Sequence, residues 1–331
     1  MQEIIRGFLE GVKIGRHQTH KNLTLYPLLS TYAVDLDYLL LEEALAVGAV
    51  EVVEVSREGS VPDLKVVNNS PGMVLILDGE ELVGAKQNRI VNTTILIAGN
   101  TTIVIPVSCV ESGRWAYDSP KFSSGSRIMA SQMRSMKAEQ VHESLRTSRS
   151  YRSDQGAIWH EIADKARRRG AESPSMAMNV IYEKDRPSIE EYLKQFHLID
   201  SQVGAVFLID GKVAGLDVFG KAETFSKVFK RLVESYALDS IDWFEPDKDV
   251  KAHKSDVTEF LKVGVSAEME SHPSVGSGID CRLSSRKVTG FALCLDDKVL
   301  HLSIFARLNG NGQEIPHSRM ARYSRRRRSR I

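Results

Sequence analysis

Gly72-Met-Val-Leu-Ile-Leu-Asp-Gly79, continued by Glu80-Glu-Leu-Val-Gly-Ala85, is the stretch on which the fold assignment turns. An apolar run enters Asp-Gly, and Asp-Gly favours the positive φ angles of a tight type I′ turn. The reading is a β-hairpin, 74–77 against 80–85. Gly204-Ala-Val-Phe-Leu-Ile-Asp-Gly211 repeats the pattern, and Gly290-Phe-Ala-Leu-Cys-Leu-Asp-Asp297 is a looser third copy followed by another apolar run. Either these are duplicated units of one sheet system, or any buried strand that enters a tight turn looks like this. A further hairpin is predicted at 94–98 and 101–107 around Gly99-Asn100, with Pro106 ending its last strand or placing it at an edge. Residues 49–55 read as one more strand.

Helical patterns lie between these strands. Residues 35–47 read as a helix closed by Gly48. Residues 126–149 form a long polar, helix-favouring run, and 153–169 place Ile158, Ile162 and Ala166 at helical spacing before Gly170. A helix is predicted to begin at Ser188, with Glu191 reaching back to complete a capping box, and to run to about 196. Residues 224–237 put Phe225, Val228, Phe229, Leu232 and Val233 on one face, and 256–263 form a shorter helix. The fold class that follows is α+β: mixed, mainly antiparallel β-sheets built from hairpins, with a helical middle segment. The expected organisation is a β-rich part (1–125), the helical segment (126–200), an α+β part packed on the first (201–310) and a basic disordered tail (311–331).

The chain has 331 residues, 42% of them apolar and 26% charged, with a formal net charge of +1. These proportions exclude a collagen-like or largely disordered protein. No apolar run is long enough to span a membrane, and 1–16 lacks the apolar core of a signal peptide. Cys109, Cys281 and Cys294 are odd in number and form no C-x-x-C, so neither a disulfide frame nor a cysteine zinc site is indicated; a cytoplasmic setting is expected. The balanced charge conceals a segregation. Residues 127–169 hold ten basic and five acidic side chains, and 319–331 hold seven arginines and no acid. The body is correspondingly acidic. The tail Arg319–Arg330 suits non-specific phosphate contacts with nucleic acid, or else touches only the acidic body.

Two polar blocks stand between apolar strands. In the first, Lys86-Gln-Asn-Arg89, Lys86 and Arg89 suit a phosphate or carboxylate, and Gln87 and Asn88 offer donors and acceptors for a base or ribose edge. Glu81 just before it is a candidate acid or base. In the second, Val107-Ser-Cys-Val-Glu-Ser-Gly-Arg-Trp115, Glu111 is a further candidate base, and Arg114 beside Trp115 supplies a charge and a stacking plane. Cys109 reads as a small buried thiol. A third block, Gly276-Ser-Gly-Ile-Asp-Cys-Arg282 with His301 downstream, contributes Arg282 and His301, its glycines able to approach a ligand closely. No zincin, nucleophile-elbow, Walker A or dinucleotide motif occurs. No metal or cofactor is expected.

Gly-Glu-Glu-Leu-Val-Gly-Ala-Lys-Gln-Asn-Arg (79–89), Ile-Pro-Val-Ser-Cys-Val-Glu-Ser-Gly-Arg-Trp (105–115) and the segment from Gly290 to Phe305 resemble the ARPP family, the ADP-ribosylglycohydrolase- and rhodanese-phosphatase-associated protein domain. The resemblance covers roughly residues 1–308 and leaves the arginine tail outside. It implies a setting in ADP-ribose or NAD-linked metabolism and carries no established catalytic set. Three functions remain: an accessory protein that binds or processes an anionic, ADP-ribose-like metabolite; a hydrolase with Glu81 or Glu111 as base; and a nucleic-acid-associated module using 127–169 and the tail.

Overall fold

The computed structural model describes residues 1–246 and 250–307, and the predicted arginine tail lies outside them. Among the described residues the chain forms three sheets and eight helices. The largest sheet is antiparallel and nine-stranded. It runs from β1 (Lys13–Ile14) through β3 (Leu23–Leu29), β13 (Gln202–Ile209), β14 (Lys212–Phe219), β18 (Lys298–Ala306), β17 (Val288–Leu295) and β16 (Ile279–Ser284) to β15 (Glu268–Pro273), and β2 (Gln18–His20) also pairs with β3. Two of the three echoed segments are its hairpins. Asp210 and Gly211 have φ of 52° and 74°, and Asp296 and Asp297 have φ of 46° and 59°, the positive angles of type I′ turns. The two hairpins lie side by side through β14 and β18.

The segment that opened the sequence reading behaves differently. β7 (Met73–Ile76) lies between β10 (Ile95–Ile97) and β4 (Tyr38–Leu40) in a three-stranded sheet. β8 (Glu80–Gly84) lies between β12 (Phe122–Ile128) and β9 (Arg89–Val91) in a six-stranded sheet, continued by β11 (Thr101–Cys109), β6 (Asp63–Asn68) and β5 (Val50–Glu54). Asp78-Gly79 is therefore a crossover between sheets and not a hairpin turn. Gly99-Asn100 likewise connects β10 to β11 in different sheets. The reason is burial on both faces: Val74 and Ile76 pack against the six-stranded sheet, while Leu75 and Leu77 face the other way, with Phe225 and Val228. A strand buried twice reads as an unbroken apolar run, and such a run does not disclose its partner. At Pro106, β11 leaves β6 and passes to β9.

The helices correct several predicted boundaries. α1 is Gln2–Glu10. α2 (Leu41–Ala46) starts later than expected because β4 takes the preceding residues into parallel pairing with β7. α3 (Ser131–Ser148) likewise starts late, behind β12. α4 (Gln155–Arg169) opens on an Asp154 cap that accepts the Ala157 N–H, and it ends at Gly170 in the left-handed region, as expected. α5 (Asn179–Lys184) precedes α6 (Arg186–Leu193), which begins two residues before Ser188, with Pro187 in its first turn in place of the predicted capping box. α7 (Ala222–Trp243) exceeds its predicted length, and α8 (Lys254–Val265) is close to it. α7 covers one face of the nine-stranded sheet, against Leu25, Ala205 and Phe207; α1 and α8 cover the other, against Val206, Leu208 and Leu216. Helices α3 to α6 form a layer against Ile90 and Val110. No helix among the described residues is long and apolar enough to cross a membrane.

The Gly276-Ser-Gly278 segment approaches a strand closely. Ser277 N–H donates to Leu96 O of β10 at 2.8 Å, and a Cβ at Gly276 would lie 2.1 Å from that same oxygen. Gly276→Ala must push this segment off β10. The expected cost is about 1–3 kcal/mol, read as a lower urea midpoint with an unchanged slope. An unaltered midpoint would refute the seating.

Candidate functional site

Residues 85–88 form the tight turn joining β8 to β9, and the whole polar block is buried. Ala85 turns with φ of 40°. The second block packs directly on this turn. Gln87 Nε2 donates to Glu111 O at 2.9 Å, and Asn88 N–H donates to Glu111 Oε2 at 3.1 Å. Arg114 Nη2 donates to Glu111 Oε2 at 2.6 Å and to Asn88 Oδ1 at 3.1 Å, while Nη1 donates to Ala85 O at 2.7 Å. Burial works against the Glu111 charge, but the Arg114 guanidinium and the Asn88 N–H hold its carboxyl below the usual range. Glu111 is thus a fixed anion that orients Arg114. Cys109 donates its thiol to Gln87 Oε1 at 3.0 Å, and burial raises its pKa, so it is not an activated thiolate.

Arg89 is the unusual member. It is fully buried, and Nη1 donates to Gln87 O at 3.0 Å and to Gln87 Oε1 at 3.2 Å. Its Nε and Nη2 have no hydrogen-bond partner. The nearest carboxylate is Glu54, whose Oε1 lies 3.8 Å from Nη2 and whose Oε2 is also unpartnered. Burial pulls the Arg89 pKa down from its ordinary value. The outer wall is aromatic. Trp115 lies over Arg89 at 5.7 Å and over Lys86 at 5.2 Å, with Tyr117 over Lys86 at 5.1 Å. Trp115 and Tyr117 are themselves 47% and 53% exposed, so they form a flap that solvent reaches.

Strand alternation separates Glu81 from this cluster. Leu82 is opposite Arg89 and Glu81 is opposite Ile90, so Glu81 points to the other face of the sheet. There both carboxylate oxygens are buried without a hydrogen bond, 3.6 Å from Arg127 at the nearest. Burial raises the Glu81 pKa to about 7, against the pull of Arg127. That places its proton in the range useful for acid–base chemistry.

Arg282 and His301 belong to a second cluster, which holds residues missed in the sequence reading. Arg134 and Lys137 of α3 are fully buried. Arg134 donates to both oxygens of Asp217, at 3.1 and 2.6 Å, and through Nε to Asp78 at 3.3 Å. Lys137 pairs with the other Asp78 oxygen and donates to Val91 O and Asn92 O, each at 3.1 Å. Burial pulls Lys137 down to about 8, against the attraction of Asp78. Burial alone would raise Asp217, but Arg134 and His301 hold it well below the carboxylate range. His301 Nδ1 meets Thr94 Oγ1 at 2.7 Å, and its Nε2 meets Ser303 Oγ at 3.1 Å. Ser303 Oγ gives its own proton to Asp217 Oδ1, so it accepts from His301 Nε2; neutral His301 therefore takes the Nε2–H tautomer, and Nδ1 accepts from Thr94 Oγ1. Burial keeps His301 below its ordinary pKa, hence neutral. Arg282 donates to both Asp280 oxygens, at 2.6 and 2.8 Å, and to Thr93 Oγ1 at 2.7 Å. The signal for Arg134 and Lys137 was positional: they fall beside Met133, Ala138 and Val141 on the apolar side of α3.

The basic middle segment does not present a continuous positive surface. Arg134, Lys137 and Lys165 are buried in ion pairs, and Arg127, Arg168 and Arg169 are paired and largely covered; Arg146, Arg149, Arg152 and Arg167 point outward. Elsewhere among the described residues, a groove of about 760 Å³ lies between α6 and α7, lined by Leu193, Phe196 and Phe229.

A family model described as the ARG and Rhodanese-Phosphatase-superfamily-associated Protein domain matches residues 11–305. No curated protein and no solved structure matches the chain.

Two expectations follow from these clusters. Native Glu81 keeps its proton to about pH 7, whereas the unfolded carboxyl releases it near 4.5. Its contribution is therefore present at low pH and is lost as pH rises through 7. Glu81→Gln should gain on the wild type by up to about 3 kcal/mol between pH 5 and pH 8, measured by chemical denaturation at both values; parallel behaviour would refute the shift. Arg134→Met should cost about 3–5 kcal/mol, because it leaves Asp217 buried without its main partner. A melting temperature within a degree of the wild type would show the pair to be dispensable.

Proposed function

The chain belongs to the ARG and Rhodanese-Phosphatase-superfamily-associated Protein domain family, and on that premise we propose that it is an accessory protein binding an anionic, nucleotide-type metabolite at the β8–β9 turn. The observation that carries this reading is Arg89. A buried guanidinium with unpartnered Nε and Nη2 leaves donors unmatched, and such donors in a native fold call for a ligand or water. In this reading Arg89 and Lys86 supply the cationic surface, Trp115 and Tyr117 the stacking flap, and Glu111 with Gln87, Asn88 and Arg114 the frame that holds the turn. Arg282 and His301, bonded within the second cluster, serve the scaffold. The family description connects the domain with ARG proteins, which favours an ADP-ribose-like ligand.

A second reading has one observation in its favour. Glu81 is a buried carboxyl with two unpaired oxygens and a pKa near neutrality, the properties of a general acid or base in a hydrolase. A folded Glu81→Gln variant with unchanged turnover would end it.

Calorimetric titration with ADP-ribose and NAD tests the main reading. Binding should be detectable, and Arg89→Met, verified as folded by circular dichroism, should weaken it roughly tenfold or more, as expected for hydrogen bonds from a charged group. The absence of binding by either ligand at millimolar concentration would overturn the proposal.

A further inference from the structure

Glu54 makes this site unlike a simple anion trap. Its carboxylate is buried, and Oε1 lies 3.4 Å from the Lys86 N–H and 3.8 Å from Arg89 Nη2. Oε2 has no donor at all, opposite an arginine whose Nε and Nη2 have no acceptor. Gly59, at φ of 78°, closes the space above: a Cβ there would lie 3.2 Å from Glu54 Oε2, 3.1 Å from Lys86 Cδ and 3.4 Å from Trp115 Cζ2. Glu54, Lys86, Arg89 and Trp115 therefore face one small, tightly filled volume, covered by a residue without a side chain, so a ligand group enters it only when Trp115 moves.

The chemistry of that volume is mixed. A bare phosphate placed against Arg89 would also sit beside a buried carboxylate oxygen, where repulsion is weakly screened. A hydroxyl has no such conflict, because it donates to Oε2 and accepts from Nε or Nη2 through its lone pairs. Two adjacent hydroxyls would match the forked guanidinium and the carboxylate together, and a sugar ring offers Trp115 an apolar face.

We propose that the Glu54–Arg89 slot binds the vicinal diol of a ribose-type sugar, the anionic group of the ligand lying outside it toward Lys86, and that Glu54 determines specificity. The proposal rests on the binding reading above and names the part of the ligand that enters. Trp115 lifts from its 5.7 Å contact with Arg89 to admit the ring.

The test is calorimetry of the full chain with ADP, 2′,3′-dideoxy-ADP and pyrophosphate. ADP should bind roughly tenfold or more tighter than either of the others, the weight of a hydrogen bond to a charged group. Glu54→Gln should narrow the preference for ADP over its dideoxy analogue by about threefold or more, since the charged acceptor of the diol is lost while Arg89 still donates to it; an unchanged preference would show that Glu54 does not determine specificity. Equal affinity of the wild type for ADP and the dideoxy analogue overturns the diol assignment and leaves Glu54–Arg89 a plain ion pair, while anion binding stands. If none of the three binds at millimolar concentration, the diol assignment falls, and the ADP-ribose titration decides the parent reading separately. The wild-type comparison needs no variant, so a Glu54→Gln protein that fails to fold does not shelter the proposal.

Discussion

Five cationic side chains, Arg89, Arg134, Lys137, Lys165 and Arg282, are fully buried among the described residues, and three of them, Arg134, Lys137 and Arg282, meet their anions in one cluster. The anions come from separate places: Asp78 from the crossover between the two smaller sheets, and Asp217 and Asp280 from the nine-stranded sheet. α3 carries two of the cations and so is bolted to both systems at once. Such a set adds little net stability, since desolvation offsets much of the attraction. Its force lies in penalising any arrangement that leaves one charge unmatched. The ring of Phe219 stacked on His301 at 4.3 Å, and the Tyr236 hydroxyl on Asp217 at 3.1 Å, complete the enclosure. The neighbouring pairs of Lys165 with Asp239 and Asp242 fix α4 to α7 in the same manner.

This scaffold explains why the two polar blocks stay together. The β8–β9 turn is held from below by paired strands and from above by the 111–115 segment, so its side chains keep fixed directions without a ligand. Pre-organisation of this kind reduces the ordering cost of binding. The two faces of the six-stranded sheet have different chemistry as a result. One presents Arg89 and Glu54; the other holds Glu81 beneath the helical layer, where Arg127 is its nearest cation.

Local rules disclosed elements better than partners. Asp-Gly and Asp-Asp marked real turns at 210–211 and 296–297, where nothing overrides the turn geometry. At 78–79 the same dipeptide stands at a corner because Asp78 is needed by Arg134 and Lys137, more than fifty residues further on. No window of sequence contains that requirement. The polar blocks 86–89 and 111–115 were legible as breaks in apolar runs. Glu54 was not, although period two was enough to find it: it shares its strand face with Val50 and Val52, both buried, whereas Glu51 does not. The charges of α3 were passed over for a similar reason, since arginine and lysine on a polar helix read as solvated.

The pairing of β3 with β13 has a temporal side. Leu25 sits opposite Phe207, so two adjacent strands of the largest sheet are separated by about 180 residues of chain. At a ribosomal rate of roughly 5–20 residues per second, β3 leaves the exit tunnel some 10–40 seconds before its neighbour is made. During that interval a buried edge of Leu23, Leu25 and Leu28 has only its short upstream strands for cover. Nascent chains of this topology are thus exposed to premature association, and holdase chaperones are the natural guardians of that wait.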